Sequence, residues 1–139
     1  MATVRYLVDT SVLARLTKPG VAAAFAPLAA SRRVALSRPV AFEVGYAARN
    51  PDDYRELTSR LGSFPAVPTT DADHQRALEV QAALAARSQH RALSLVDALV
   101  AATAEARQLT VLHYDADFEL VAQITGQAHQ WIVPRGAVD

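Results

Sequence analysis

Two short apolar runs in this chain each end on an aspartate. Val4-Arg5-Tyr6-Leu7-Val8 runs into Asp9, and Val111-Leu112-His113-Tyr114 runs into Asp115, so each acid stands just past the end of a predicted buried strand. A third aspartate is costlier. Asp97 interrupts Leu93-Ser94-Leu95-Val96-Asp97-Ala98-Leu99-Val100-Ala101-Ala102, a run apolar enough for a core helix, where a charge without a partner or a metal is expensive. With Glu43, set among Val40, Phe42, Val44 and Tyr46, and with Asp117, five carboxylates occupy positions that packing would not select. Acids that converge from distant parts of a chain make a hard-cation site.

The chain around these acids alternates short strands with helices. Strands are expected over Val4 to Val8, Val34 to Leu36, Phe64 to Pro68, Thr110 to Tyr114 and Gln130 to Val133, the third at an edge because it contains two prolines. Helices are expected from Ser11 to Thr17, then after Lys18-Pro19-Gly20 to Ser31, from Pro39 to Asn50, from Pro51 to Gly62, from Asp71 to Ser88, from Ser94 onward, and from Asp117 to Thr125. This alternation implies an α/β fold with a mostly parallel sheet covered on both faces. Such sheets carry their sites at the carboxyl ends of strands, where the strand order reverses. Asp9 and Asp115 meet there if the first and fourth strands are neighbours, an adjacency the pattern leaves open.

At 139 residues the chain is expected to form one domain, 1–139, burying roughly 68–70% of its unfolded surface. Its 51% hydrophobic and 20% charged residues argue against disorder. Without cysteine, disulfides, thiolate zinc sites and Cys nucleophiles are excluded, and His74, His90, His113 and His129 show no zinc spacing. No signal-peptide pattern precedes the first strand, and the most apolar run, Val21 to Ala30, falls short of the roughly 20 residues a membrane span needs. A soluble, cytoplasmic protein is expected. Net charge is zero, but if the five acids share one site, 14 basic residues face the nine acids that remain, a formal +5 compatible with a phosphate-bearing substrate. Arg15, Lys18, Arg38, Arg49 and Arg91 are the candidates for holding its phosphates.

Each acid also has a purely structural reading. Asp9 fits the cap of the helix beginning near Ser11, and Asp115 or Asp117 fits the cap of the next one. Asp97, three residues after Ser94, fits a capping box, and Glu43 fits a solvated helix position. His113 suits an inward-packed strand residue as well as a proton shuttle. A metal site accounts for all the acids together, whereas the structural readings must hold separately at every position.

Asp9-Thr10-Ser11 after the first strand, Glu43 in a mid-chain helix, Asp97 in an apolar helix and His113-Tyr114-Asp115-Ala116-Asp117-Phe118 after a late strand together resemble the PIN domain, and specifically the VapC-type toxins of bacterial toxin-antitoxin modules. The resemblance covers essentially the whole chain. It implies a PIN-like three-layer α/β fold whose central five-stranded sheet has the order 3-2-1-4-5, setting Asp9 beside Asp115. The family's four core acids match Asp9, Glu43, Asp97 and Asp115, with Asp117 an additional acid and Ser11 a hydroxyl near the metal. Asp9 and Asp97 are expected as the principal ligands, Glu43 and Asp115 as completing the site and orienting water, and Asp117 as standing behind them. Many members have Thr two residues before the fourth acid; here that residue is His113, so no hydroxyl role carries over.

The activity implied by the resemblance is that of an endoribonuclease, hydrolysing RNA phosphodiester bonds with Mg²⁺ or with Mn²⁺ in its place. The resemblance also implies a homodimer and a small antitoxin that inserts a basic side chain among the acids, operator DNA being contacted only through that antitoxin. The helices between Pro39 and Gly62, with Phe42, Tyr46, Tyr54 and Leu57, are candidates for a dimer face or an antitoxin groove, and equally for ordinary core. No membrane partner is expected. The alternative function is that of a non-catalytic PIN fold that binds RNA or a partner without cutting. A receiver domain fits poorly, because Lys18, the sole lysine, follows the first helix rather than the last strand. A dehalogenase-like phosphatase needs a second aspartate where Ser11 stands.

Overall fold

The computed structural model describes residues 3–139. Among these residues the strands are β1 (Tyr6–Val8), β2 (Val34–Ser37), β3 (Ala66–Val67), β4 (Thr110–His113) and β5 (His129–Trp131). They form one sheet in the order β3-β2-β1-β4-β5, and every neighbouring pair is parallel. The order agrees with the PIN-like expectation, and the sheet is wholly rather than mostly parallel. The helices are α1 (Thr10–Leu13), α2 (Pro19–Ala30), α3 (Arg38–Tyr46), α4 (Pro51–Leu61), α5 (Asp71–Ala85), α6 (Leu95–Ala106) and α7 (Asp117–Thr125), with a 3-10 turn at His90–Ala92.

Each of the three central strands carries an apolar run, Leu7 to Val8, Val34 to Leu36 and Val111 to Leu112, because helices cover both faces of the sheet. Leu7, Val8, Val34, Ala35, Val111 and Leu112 are all buried and join Phe25, Leu84, Val100 and Phe118 in one core. β1 lies between β2 and β4, so the strand order reverses at the β1–β4 pair. Leu7 is in register with Val111 and Val8 with Leu112. That register brings the residues that follow, Asp9 on one strand and the turn to Asp115 on the other, to the same edge of the sheet.

Several element ends differ from the sequence expectation. β1 starts at Tyr6 rather than Val4, since the amides of Arg5 and Tyr6 both donate to the Arg33 carbonyl, at 2.8 and 3.0 Å. α1 is a single turn, and α2 begins on Pro19 itself, the first-turn position that tolerates a missing N–H. α3 stops at Tyr46 rather than Asn50. Asn50 precedes a proline, which keeps its backbone extended, and its side chain accepts the Asp53 amide at 2.8 Å to cap α4. β5 covers His129–Trp131, not Gln130–Val133.

α3 and α4 approach closely at Gly45, where a Cβ would come within 3.1 Å of the Tyr54 ring. Phe42, Tyr46 and Tyr54 are exposed, at 79%, 85% and 51%, whereas Leu57 packs against the core. Of the four side chains considered for a partner-facing surface, Leu57 is therefore the half-buried one. Among the described residues no helix is long and apolar enough to cross a membrane.

Candidate metal centre

Asp9 follows β1 directly and is 2% exposed. Its amide donates to the Leu112 carbonyl at 2.9 Å, which locks the end of β1 to β4. One carboxylate oxygen, Oδ2, accepts the Ser11 amide at 3.0 Å and caps α1. The other, Oδ1, is buried without a hydrogen-bond partner among the described residues. The capping reading is therefore correct for half of this carboxylate, and the other half is left with an unmatched oxygen, a costly arrangement unless a cation meets it.

Asp115 leads from β4 into α7, and its Oδ1 accepts the Asp117 amide at 2.9 Å. The two acid-bearing loops are tied together by the Tyr114 amide, which donates to Ser11 Oγ at 2.8 Å. Asp97 arrives from the first turn of α6. Ser94 Oγ accepts the Asp97 amide at 3.1 Å, but the Asp97 carboxylate returns no bond to the Ser94 amide, so the expected capping box is only half formed. A complete box does form at Thr70 and Asp73, where α5 begins.

Asp9, Asp97 and Asp115, from three separate parts of the chain, bring carboxylate oxygens within 4.8 Å of one another. Glu43 on α3 and Asp117 on α7 are not among the oxygens that meet this closely, although both charges are felt by Asp97. The inner set thus contains Asp115 and not Glu43. Burial, and then the charges of Asp9, Asp115, Asp117 and Glu43, push the Asp97 carboxyl up to about 8. Burial raises Asp9 as well, against hydrogen bonds from Ser11 that lower it, and burial with the Asp115 charge raises Asp117. No Arg or Lys appears among these influences. Crowded oxygen donors with uncompensated charge and one orphaned buried oxygen fit a hard divalent cation such as Mg²⁺ or Mn²⁺.

A profile of the PIN domain matches residues 6–124. The chain belongs to the PIN domain family. Within the family it stands with the VapC proteins: it is 48% identical over 135 residues to Ribonuclease VapC51 of Mycobacterium tuberculosis, covering 97% of this chain and 98% of that one. Among solved structures, the DNA-bound VapBC of Salmonella typhimurium aligns with a TM-score of 0.76 over 94% of this chain and 100% of that chain, at 15% identity. VapBC-5 of Mycobacterium tuberculosis, described as a member of a family of toxin-antitoxin systems, aligns with a TM-score of 0.58 over 94% and 98%, at 22% identity. At these identities the two structures speak for the fold alone.

Around the acids of this PIN domain the basic residues divide. Arg15 lies over the Tyr114 ring, 4.9 Å from its centroid, and donates to the Ser11 carbonyl at 2.8 Å, so it is fixed to the same loops that carry Asp9 and Asp115. It also donates to the Asp139 main-chain oxygen at 2.8 Å, and Lys18 lies 3.9 Å from the Asp139 carboxylate. Arg49 pairs instead with Asp53, and Arg38 and Arg91 are exposed on other elements.

The sequence carried no signal for two sets of bonds beside the site, those of the Tyr114 hydroxyl and the one between His113 and His129. The Tyr114 hydroxyl donates to the Val138 carbonyl and accepts the amides of Gly136 and Val138, folding the last residues back beside Arg15. His113 is fully buried and bonded to His129, Nε2 to Nδ1, at 2.9 Å. Burial and the neighbouring His129 push its pKa down to about 4, so the ring is neutral at pH 7. The inward-packed reading of His113 is the one the structure supports.

Proposed function

We propose that this PIN domain is an endoribonuclease that hydrolyses RNA phosphodiester bonds with the help of Mg²⁺, Mn²⁺ being able to replace it. The observation that carries this reading is the convergence of Asp9, Asp97 and Asp115 within 4.8 Å, where the Asp97 charge has no basic partner among the described residues. The ribonuclease name borne by a relative at 48% identity over nearly the full chain supports the substrate class. Asp9, Asp97 and Asp115 would hold the cation, with Glu43 and Asp117 accepting hydrogen bonds from water around it. When bound, such a cation lowers the pKa of a water molecule and neutralises the charge that builds on the phosphoryl oxygens.

The chain's own groups prepare that chemistry. Asp97 must surrender its proton for the site to reach full charge, and the Ser11 cap keeps one Asp9 oxygen fixed while the other is free to ligate. The tie between Ser11 and Tyr114 sets the span between the two loops. Arg15 and Lys18, on the Ser11 side, suit the phosphates that flank the bond being cut.

In the cell we assign the chain the role of a toxin acting in the cytoplasm as a homodimer. A small antitoxin would direct an Arg or Lys toward Asp9 and Asp97, displacing cation and substrate, and would itself contact the operator DNA. The toxin-antitoxin description of VapBC-5 supports that partnership. The test is cleavage of total RNA by the purified protein, with the new ends mapped. Cutting is expected with Mg²⁺ or Mn²⁺ and should stop with chelator; undiminished cutting in excess EDTA would sink the mechanism.

A further inference from the structure

We propose that His113 is a positioning residue for this centre: its Nδ1 accepts the Asp115 amide while Nε2 is bonded to His129, so that the ring fixes the main chain of Asp115 and with it the carboxylate. The proposal rests on the reading of the acids given above. His113 ends β4 and lies between Phe118, Trp131 and His129, with ring centroids 5.0, 4.9 and 5.1 Å away. The Asp115 amide lies 3.1 Å from His113 Nδ1. An amide only donates, so Nδ1 must present its lone pair. The proton of the neutral ring is then on Nε2, which lies 2.9 Å from His129 Nδ1 and donates to it. The opposite tautomer would set two N–H groups against each other at Nδ1. With Asp117 holding its Oδ1, Asp115 is gripped both at the amide and at one carboxylate oxygen.

An apolar side chain could fill the space between Phe118 and Trp131, but it would leave the Asp115 amide without an acceptor and the loop free to turn. Groups that orient ligands in this way typically govern metal affinity. The variants His113→Leu and His113→Asn separate positioning from packing. Leu fills the volume without an acceptor; Asn offers its Oδ1 near the place of Nδ1 at the cost of an amide buried among rings. If His113 only packs, Leu is the better replacement in every respect. Positioning predicts that the order crosses.

Thermal melting should rank Leu at or above Asn. Mn²⁺ affinity, read by calorimetry on RNA-free protein, should fall about 10–100-fold for Leu while Asn stays within about threefold of wild type. Wild-type affinity in His113→Leu, or an Asn variant no better than Leu, overturns the proposal. A measurement on the wild-type protein needs no variant to fold: ¹⁵N imidazole correlations should report the Nε2–H tautomer for His113, and a proton on Nδ1 overturns the proposal. Neither readout involves RNA. Wild-type protein that binds Mn²⁺ through a His113-dependent site and yet cuts no RNA would therefore refute the ribonuclease reading alone.

Discussion

The hydroxyl of Ser11 accepts the backbone amide of Tyr114 at 2.8 Å, a bond between residues 103 positions apart. It joins the loop after β1 to the loop after β4 and thereby sets the distance from Asp9 to Asp115. Ser11→Ala removes the acceptor and leaves that amide unpartnered. The change is expected to cost about 1–3 kcal/mol in urea unfolding and to slow RNA cleavage by about tenfold or more. An unchanged unfolding midpoint with full activity would show that the bond does not set the site.

Metal-free protein is expected to lose stability as pH rises. In the fold Asp97 is pushed up to about 8 by burial and by the charges of Asp9, Asp115, Asp117 and Glu43, against an ordinary value of 3.8. The folded chain thus binds this proton more tightly than the unfolded chain. The stabilisation is complete below pH 3.8 and is lost as pH climbs through about 8. Asp9 is shifted in the same direction. Melting temperature in EDTA should fall between about pH 5 and pH 8 and recover on addition of Mg²⁺ at the higher pH. A melting temperature indifferent to both would contradict the crowding of these acids.

Asp73 is the opposite case, a buried acid with partners. Burial acts to raise it, but the Thr70 amide and Arg107 outweigh this and hold its carboxyl below the ordinary value. Asp73→Asn should lose about 2–3 kcal/mol of stability at neutral pH while the folded fraction cuts RNA at the wild-type rate. The loss should shrink in acid, because a depressed pKa contributes stability only above the unfolded value. A normally stable Asp73→Asn protein, measured by denaturant titration, would overturn this contrast.

The strands were legible because Leu7 to Val8, Val34 to Leu36 and Val111 to Leu112 are apolar without interruption, as both-face burial demands. The neighbourhood of β1 and β4 was not in the pattern; it came from the resemblance to PIN domains. At Asp97 the Ser94 spacing was ambiguous, since a half-formed box and a metal ligand share the same local sequence. The bond between His113 and His129 depends on the parallel register of β4 with β5, in which Val111 pairs with His129, and no local signal encodes a register between distant strands. The return of residues 136–138 to the Tyr114 hydroxyl is a contact of the same long-range kind.

Arg15 tests the substrate class. If it holds one phosphate, Arg15→Gln should weaken binding of single-stranded RNA in EDTA and lower the slope of log affinity against log salt by about 0.7. Fluorescence anisotropy over a salt series measures both. An unaltered slope would remove Arg15 from the RNA path without touching the acid centre.

Whether Asp97 serves a cation or the fold is decided by one substitution assayed two ways. Asp97→Asn keeps the shape and the Ser94 cap on its amide but removes the charge. RNA cleavage with Mg²⁺ and thermal melting in EDTA at about pH 8 are to be measured on the same preparation. Cleavage is expected to fall to background while the melting free energy rises by about 1–2 kcal/mol, as the remaining acids lose a repelling neighbour. A destabilised Asp97→Asn protein that still cuts RNA at the wild-type rate would contradict the cation role.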